Sequence, residues 1–329
     1  LNIINPIAVA IGALALIYAA GKCKRNAFQN PNQLVFDWEK DCTPAMAALI
    51  TNHFIGPNVI FASLLDLFRK GYISLNREQD DVSVYDNQAF IINKEREADK
   101  ALQEHEKYLM DWFFFRIGAG KRVSTRDIEE YSRKNKAKFI EEYNGWRQKI
   151  KSDLEKKGCY DKSKKGLGGL LLALSIAEFI IGILTAASAN AAALLTISIG
   201  AVMLIYGLKL FTRLSDYGYE IYRRLMNIKS HIRYHSDYSN TDKNPPDTSL
   251  IYALAIGILP LKPRVYGEEA SLYMNNWVLW YFIFASPGKN NNLRKCMDSS
   301  FAPVVYAGGG EAFTDGGGAA AGGGGAGGF

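Results

Sequence analysis

The sequence lacks the residue patterns that many enzyme classes require. It contains no GxxxxGK[ST] phosphate loop, no HExxH zinc motif, no GxSxG nucleophile turn and no CxxC pair. The glycines near the end have no strand before them and no helix after them, so they do not predict a nucleotide site. We therefore predict no catalytic residue, no cofactor and no metal site, and expect a protein that is not an enzyme.

Cysteine is scarce and widely spaced. The chain has four cysteines, at Cys23, Cys42, Cys159 and Cys296. All four fall in segments that the charge pattern below assigns to the cytoplasm, where thiols stay reduced. We expect no structural disulfide.

Charge is nearly absent from three long apolar stretches, at 3–20, 167–187 and 191–211. A helix needs roughly 20 apolar residues to cross the hydrocarbon core of a bilayer. The sequence therefore predicts a mainly α membrane protein with three transmembrane helices, at 1–21, 167–187 and 191–211.

Basic residues flank all three predicted spans on one side. They are Lys22, Lys24, Arg25, Lys162, Lys164, Lys165, Lys209, Arg213, Arg223 and Arg224. Such flanks face the cytoplasm. Residues 22–166 and the C-terminus are thus predicted to be cytoplasmic, and 188–190 to form a short external turn.

The charged segment 22–166 has the pattern of an α+β domain in water. Thr43 and Pro44 are typical of a helix start, and Phe61, Leu64, Leu65 and Phe68 form an apolar stripe on a second helix that stops at Gly71. Short strands follow at 72–75, 82–85 and 90–92, which indicates a winged-helix-like unit at 43–92. A second unit is predicted at 104–161, with Ser124 and Asp127 as a capping box. The similarity of 152–160 to 65–73 reflects either duplication or chance.

The region after the third span, 212–307, is predicted to start with a helix at 217–234. Apolar runs at 249–259 and 276–285 are too short to span and have lengths typical of buried or interfacial segments. Trp277, Trp280 and Tyr281 favour the membrane interface. Residues 308–329 are mostly Gly and Ala and predict a disordered tail.

Several segments in fixed order resemble a bacterial family of predicted membrane proteins, the domain of unknown function 2207 family (YciQ-like proteins). The segments are TPAMAALI (43–50), LLDLFRKGYISL (64–75), DYGYEIYRRLMNIKSHI (216–232), YALAIG (252–257) and the Gly-rich end. The resemblance implies a multi-pass protein of the bacterial cytoplasmic membrane and supplies no catalytic residue. It also implies an extracytoplasmic β-rich domain before the first span. That agrees with a chain that starts at Leu1 without a signal peptide, which we expect to be truncated or processed.

Glu178 lies near the middle of the second predicted span, where an ionised carboxylate costs at least a few kcal/mol. With Ser175, Ser198 or Tyr206 as neighbours it could relay a proton or cation. Alternatively, a protonated carboxyl could hydrogen-bond another helix for packing or oligomerisation. The residues leave both interpretations open.

Three further patterns are candidate binding sites. Arg133, Lys134, Lys136 and Lys138 form the densest basic patch, which could contact anionic lipid, a protein partner or DNA, or could simply be solvated. Nearby glutamates and tethering to the bilayer weigh against nucleic acid. His231 and His235 have the spacing of two metal ligands, but no third ligand is evident nearby. The aromatic run 111–116 belongs either to the core or to an exposed patch that binds a partner.

The partners predicted from these patterns are the lipid bilayer and either a protein partner or a second copy of the chain. The preferred hypothesis is a non-enzymatic scaffold or assembly protein. An oligomeric transporter or channel-like component that uses Glu178 is the alternative, and a membrane-tethered DNA-binding regulator is a third.

Overall fold

The computed structural model describes residues 4–25, 42–52, 55–77, 90–186, 191–234, 249–257 and 299–301. Within this part of the chain most residues are helical. The helices of four residues or more, in chain order, are α1 (Ile4–Cys23), α2 (Pro44–Asn52), α3 (Pro57–Arg69), α4 (Glu104–Asp111), a π-helix (Trp112–Ile117), α5 (Thr125–Lys134), α6 (Lys136–Lys156), α7 (Lys165–Ala186), α8 (Ala191–Phe211), α9 (Asp216–Tyr234) and α10 (Ser249–Ala255). The strands are β1 (Ile73–Arg77), β2 (Phe90–Lys94) and β3 (Arg122–Ser124).

The chain divides into two compact units. The bundle unit comprises the described residues of Leu1–Val35 and Gly158–Tyr219, and the α+β unit comprises those of Phe36–Lys157 and Glu220–Gly316. The predicted soluble segment 22–166 therefore extends beyond the α+β unit at both ends. Its first and last residues, which adjoin the spans, belong to the bundle unit.

The bundle unit consists of α1, α7 and α8, and all three helices are long and apolar enough to cross a membrane. The prediction of three apolar helices of membrane-spanning length is confirmed, with α1 extending to Cys23. Large side chains such as Leu14, Leu184 and Leu194 point outward and are exposed, whereas most residues on the inner faces are small or polar. This distribution is typical of helices that pack closely within lipid.

Glycines allow α7 and α8 of the bundle unit to pack closely against each other. A Cβ atom on Gly168 would lie 3.1 Å from the carbonyl oxygen of Gly207, and a Cβ on Gly207 would lie 3.1 Å from that of Gly168. Side chains at these positions would push α7 and α8 apart. The glycines in these apolar runs therefore act as packing positions.

The α+β unit begins with the helix start that the sequence predicts. The backbone N–H of Met46 donates to Oγ1 of Thr43 at 3.4 Å, and Pro44 occupies the first position of α2. Helix α3 follows and ends at Arg69, and Gly71 then turns the chain with φ of +75° into β1. The predicted helix end near Phe54 and the strand at 82–85 lie outside the described residues.

A three-stranded antiparallel sheet has the order β1-β2-β3. Ile73 pairs with Lys94, and Ile91 pairs with Ser124. Because β3 comes from the predicted second unit and β2 from the first, one sheet joins the two segments. Ser124 also caps α5, as predicted, through the reciprocal bonds of a capping box with Asp127.

Aromatic residues fill much of the core of the α+β unit. Trp112, Phe139 and Phe301 contact one another, with ring centroids 4.9 to 6.0 Å apart. Residues Ile251–Ile256 are also buried, where α10 packs on α2 and α3. The apolar run that starts at 249 thus contributes to a protein core, whereas the run at 276–285 and the Gly-rich tail lie outside the described residues.

Candidate functional sites

Glu178 lies inside the three-helix bundle. Its side chain is only 4% exposed, and its Oε2 has no hydrogen-bond partner within the described residues. Two glycines make room for it, since a Cβ on Gly12 of α1 would lie 3.0 Å from Oε1 and a Cβ on Gly200 of α8 would lie 3.1 Å from the Cβ of Glu178. The carboxyl therefore occupies the point where all three helices approach each other.

The other predicted intramembrane residues are distributed over different surfaces. Ser175 is buried one turn from Glu178, and its hydroxyl donates to the Leu172 carbonyl at 2.8 Å. Ser198 is exposed on the outside of α8 and bonds its own helix at Leu194. Tyr206 packs against the cluster that contains Cys23, closer to the basic end. Of the three, the structure brings only Ser175 close to Glu178.

A polar layer near the opposite end of the bundle was not predicted. Oδ1 of Asn5 lies 3.0 Å from Oγ1 of Thr185 and 3.4 Å from Oγ1 of Thr196, so one side chain links α1, α7 and α8. All three residues are buried. Isolated Asn and Thr residues in apolar spans were the available signal, because polar side chains in spans usually face other helices.

The predicted basic patch lies where α5 meets α6. Arg133, Lys134, Lys136 and Lys138 are all exposed. Lys134 pairs with Glu130, whereas the other three form no ion pair within the described part of the chain. We call these four residues the basic corner. The exposed positive groups of Arg133, Lys136 and Lys138 are accessible to an anionic partner.

The comparison with known proteins decides the family. The family model described as predicted membrane protein (DUF2207) C-terminal domain matches residues 35–258. The chain belongs to this family. Searches of curated proteins and of solved structures gave no match.

Membership in the DUF2207 family and the three apolar helices identify a membrane protein. The matched range includes Glu178, the basic corner and the whole of α7 and α8. Asn5 and Gly12 on α1 precede it. The family match therefore covers only part of the bundle's polar interior.

The aromatic run of this DUF2207 protein is divided between core and surface. Trp112, Phe113 and Phe114 are buried, whereas Phe115 is 58% exposed. The ammonium group of Lys94 lies 4.4 Å from the centroid of the Phe115 ring. The first three aromatic residues of this run thus belong to the core, and the fourth lies on the surface.

A buried polar chain in the α+β unit was not predicted either. Oγ1 of Thr43 lies 2.9 Å from Nε2 of His105, whose Nδ1 lies 2.8 Å from Oδ2 of Asp153. Burial acts to raise the pKa of the Asp153 carboxyl, but hydrogen bonds from the side chain and backbone of His105 outweigh it and lower that pKa. Since the side chains of Thr43, His105 and Asp153 are 5% exposed or less, this chain links α2, α4 and α6 within the core.

A second, partly buried network joins the end of α3 to α4. Nζ of Lys70 lies 2.7 Å from both Oδ2 of Asp66 and Oε1 of Glu106. Burial acts to lower the pKa of Lys70, but the two carboxylates outweigh it and raise that pKa. Lys70, in the KGY segment that resembles the family, therefore has a structural role.

Possible metal ligands are not grouped in the described ranges. Among those residues no group of three His, Cys, Asp or Glu side chains could hold a metal ion. His235 lies outside the described residues, so the predicted pair with His231 is not placed. Cys23, Cys42 and Cys159, which are described, are buried and form no disulfide.

Charged residues also meet at the basic end of the bundle unit. Nη2 of Arg25 donates to the carbonyl oxygen of Leu214 at 2.5 Å, and its guanidinium lies 4.0 Å from the centroid of the Tyr219 ring. The backbone N–H of Asp161 donates to the carbonyl of Arg213 at 2.9 Å. The segment after α1, the segment before α7 and the segment after α8 are thus fixed to one another.

Proposed function

We propose that this protein is a non-enzymatic interaction protein of the bacterial cytoplasmic membrane, in which three helices anchor an α+β unit that binds an acidic protein partner. The basic corner carries the proposal. Clustered exposed like charges repel each other, and an acidic surface relieves that repulsion while steering association. Arg133, Lys136 and Lys138 are exposed, lie close together in sequence and form no ion pair within the described residues.

Two further features support the proposal. We further propose that α2, α3, β1 and β2 belong to the winged-helix-like unit predicted at 43–92, a module whose surfaces suit macromolecular contacts. The basic flanks of the three spans favour a cytoplasmic α+β unit. An acidic cytoplasmic protein is then the expected partner.

Site-specific photo-crosslinking in intact cells tests the proposal. A photoreactive residue at exposed Ala137, within the basic corner, should give one discrete adduct, and the same residue at exposed Gln148 should not. The adduct should disappear when Arg133, Lys134, Lys136 and Lys138 are all changed to Gln. It should persist in the matched control K149Q K151Q, which neutralises two other exposed lysines of α6. An adduct that is indifferent to the quadruple change would refute the proposal.

A second candidate function is ion or proton movement that depends on Glu178. The observation that favours it is that Glu178 is only 4% exposed and has one carboxyl oxygen without a partner in the described part of the chain. The packing by Gly12 and Gly200 encloses this carboxyl, so conduction would require an oligomer or an opening of the bundle.

Purified protein in vesicles that contain a pH-sensitive dye tests this candidate. It predicts a proton flux that is lost in E178Q and retained in S198A, which alters an exposed hydroxyl on α8. Equal flux in E178Q and the parent, or no flux in the parent above that of empty vesicles, would exclude the candidate.

A further inference from the structure

We propose that Arg25 and Arg213 form a binding site for the phosphate group of an anionic phospholipid, at the basic end of the bundle unit. This site is distinct from the basic corner, which belongs to the α+β unit. It does not depend on the proposed protein partner.

Two guanidinium groups at this end each have a buried Nε that makes no hydrogen bond within the described residues. Nε of Arg25 and Nε of Arg213 are both buried and have no hydrogen-bond partner within the described residues. A buried N–H of a cation without an acceptor is costly, and native structures usually provide one. The missing acceptor is thus expected to come from a bound group.

The two arginines act on the same short segment. Arg25 donates to the carbonyl of Leu214, the residue next to Arg213, and burial together with the charge of Arg213 lowers the pKa of Arg25. Arg213 is thus close enough for its charge to act on Arg25. A phosphate between the guanidiniums would accept hydrogen bonds from both, which is the geometry that arginine favours.

Asp161 is the acid that pairs with Arg213, and it does so weakly. Its Oδ2 lies 3.5 Å from Nε of Arg213, which is longer than a good hydrogen bond. Its Oδ1 is occupied by the backbone N–H of Ser163 at 2.9 Å and the hydroxyl of Ser163 at 2.6 Å. Asp161 therefore caps the short helix Lys162–Lys164 and leaves Arg213 available.

The surroundings favour a lipid over other sources of phosphate. The segments at this end, 22–25, 161–165 and 209–216, contain eight basic residues and two acidic ones. They adjoin the ends of three helices that can span a membrane, where lipid headgroups lie. Basic pockets between transmembrane helices at this depth bind anionic headgroups.

Native mass spectrometry of the purified full chain in a non-ionic detergent tests the site. Titration with short-chain phosphatidylglycerol should give a saturable first binding event, and phosphatidylcholine should bind at least tenfold more weakly. R25Q R213Q should weaken the first phosphatidylglycerol event at least tenfold. The matched control R133Q K136Q, which removes two cations of the basic corner, should leave it unchanged.

A second variant keeps the test informative if R25Q R213Q fails to fold. D161N removes the competing charge but keeps an oxygen that can cap Ser163, so it should tighten phosphatidylglycerol binding by about threefold or more. The proposal is overturned if D161N weakens or does not change binding, or if phosphatidylcholine binds equally well. It is also overturned if inorganic phosphate at the same concentration displaces the lipid, because the site would then take soluble phosphate.

Discussion

Nδ1 of His105 lies 2.8 Å from Oδ2 of Asp153, and both side chains are buried in the α+β unit. The backbone N–H of His105 donates to the same oxygen at 3.0 Å. One carboxylate oxygen therefore fixes the start of α4 against α6, and Thr43 connects the same histidine to the start of α2. The arrangement ties together three helices that are far apart in sequence.

Removal of the Asp153 carboxylate should destabilise the α+β unit. Asp153→Ala leaves the two buried donors of His105 without an acceptor, which should lower the free energy of unfolding by about 3 kcal/mol. Urea unfolding of the full chain in detergent, followed by tryptophan fluorescence, measures this change because Trp112 and Trp146 are buried in the same unit. The matched control E130Q removes an exposed pair with Lys134 and should leave the unfolding curve unchanged. Similar curves for D153A and the parent would show that the contact does not contribute.

The stabilisation from Asp153 should depend on pH in a defined direction. The pKa of its carboxyl is lowered in the folded protein relative to the ordinary value of 3.8. A lowered folded pKa means that the stabilisation is fully present above the unfolded pKa and is lost as the pH falls through the folded pKa. The difference in unfolding free energy between the parent and D153N should hence be constant near pH 7 and shrink below a pH of about 4. A difference that grows on acidification would contradict the assignment.

Sequence patterns predicted the helical elements well because their signals are local. The three apolar runs identify α1, α7 and α8 by length and lack of charge, and the Ser124 and Asp127 spacing identifies the start of α5. The contacts between elements were not predictable in this way. His105 and Asp153 are 48 residues apart, and only the packing of α4 on α6 brings them together.

The contacts of the intramembrane site could not be predicted from local sequence patterns either. Glu178 could be predicted to lie in a span, but its neighbours depend on which faces of α1 and α8 turn inward. Ser198 is two residues from Gly200, which corresponds to roughly 200° around a helix, so Gly200 faces Glu178 and Ser198 faces outward. The inward face of α8 is marked by Thr196, Gly200 and Gly207, small residues whose importance becomes clear only with the helix partner known.

Loss of the Asn5 side chain should loosen the three-helix bundle. Asn5→Ala removes contacts to Thr185 and Thr196, each of which is typically worth about 0.6 kcal/mol in a membrane protein. Cys23 is buried in the same bundle, so its maleimide labelling rate, with the other cysteines replaced, reports bundle opening. We expect a rise of about fivefold to tenfold, since about 1.4 kcal/mol corresponds to a factor of ten. S198A, which alters an outward hydroxyl, should label at the parent rate, and equal rates in all three proteins would contradict the prediction.

Gly218 should be essential for the start of α9 to pack correctly. A Cβ at this position would lie 2.1 Å from the backbone oxygen of Cys159, so the backbone itself must shift in Gly218→Ala. Overpacking of this kind costs typically about 1–3 kcal/mol, enough to increase opening by about fivefold or more. The thiol of Cys159 is buried, and its labelling rate in a background without other cysteines should rise accordingly. Gly169→Ala, where a Cβ meets nothing within 4 Å, should not change that rate.

The orientation of the protein can be tested with cysteine labels in intact cells. The basic flanks predict that position 189, between α7 and α8, reacts with an impermeant maleimide, whereas position 137 in the basic corner reacts only after permeabilisation. Both labels require a background without the native cysteines, and Ala137 is an exposed site in the folded protein. Reaction at 137 in intact cells would reverse the predicted topology. The acidic partner of the basic corner would then have to be sought outside the cytoplasm, and the phosphate site of Arg25 and Arg213 would face the outer leaflet.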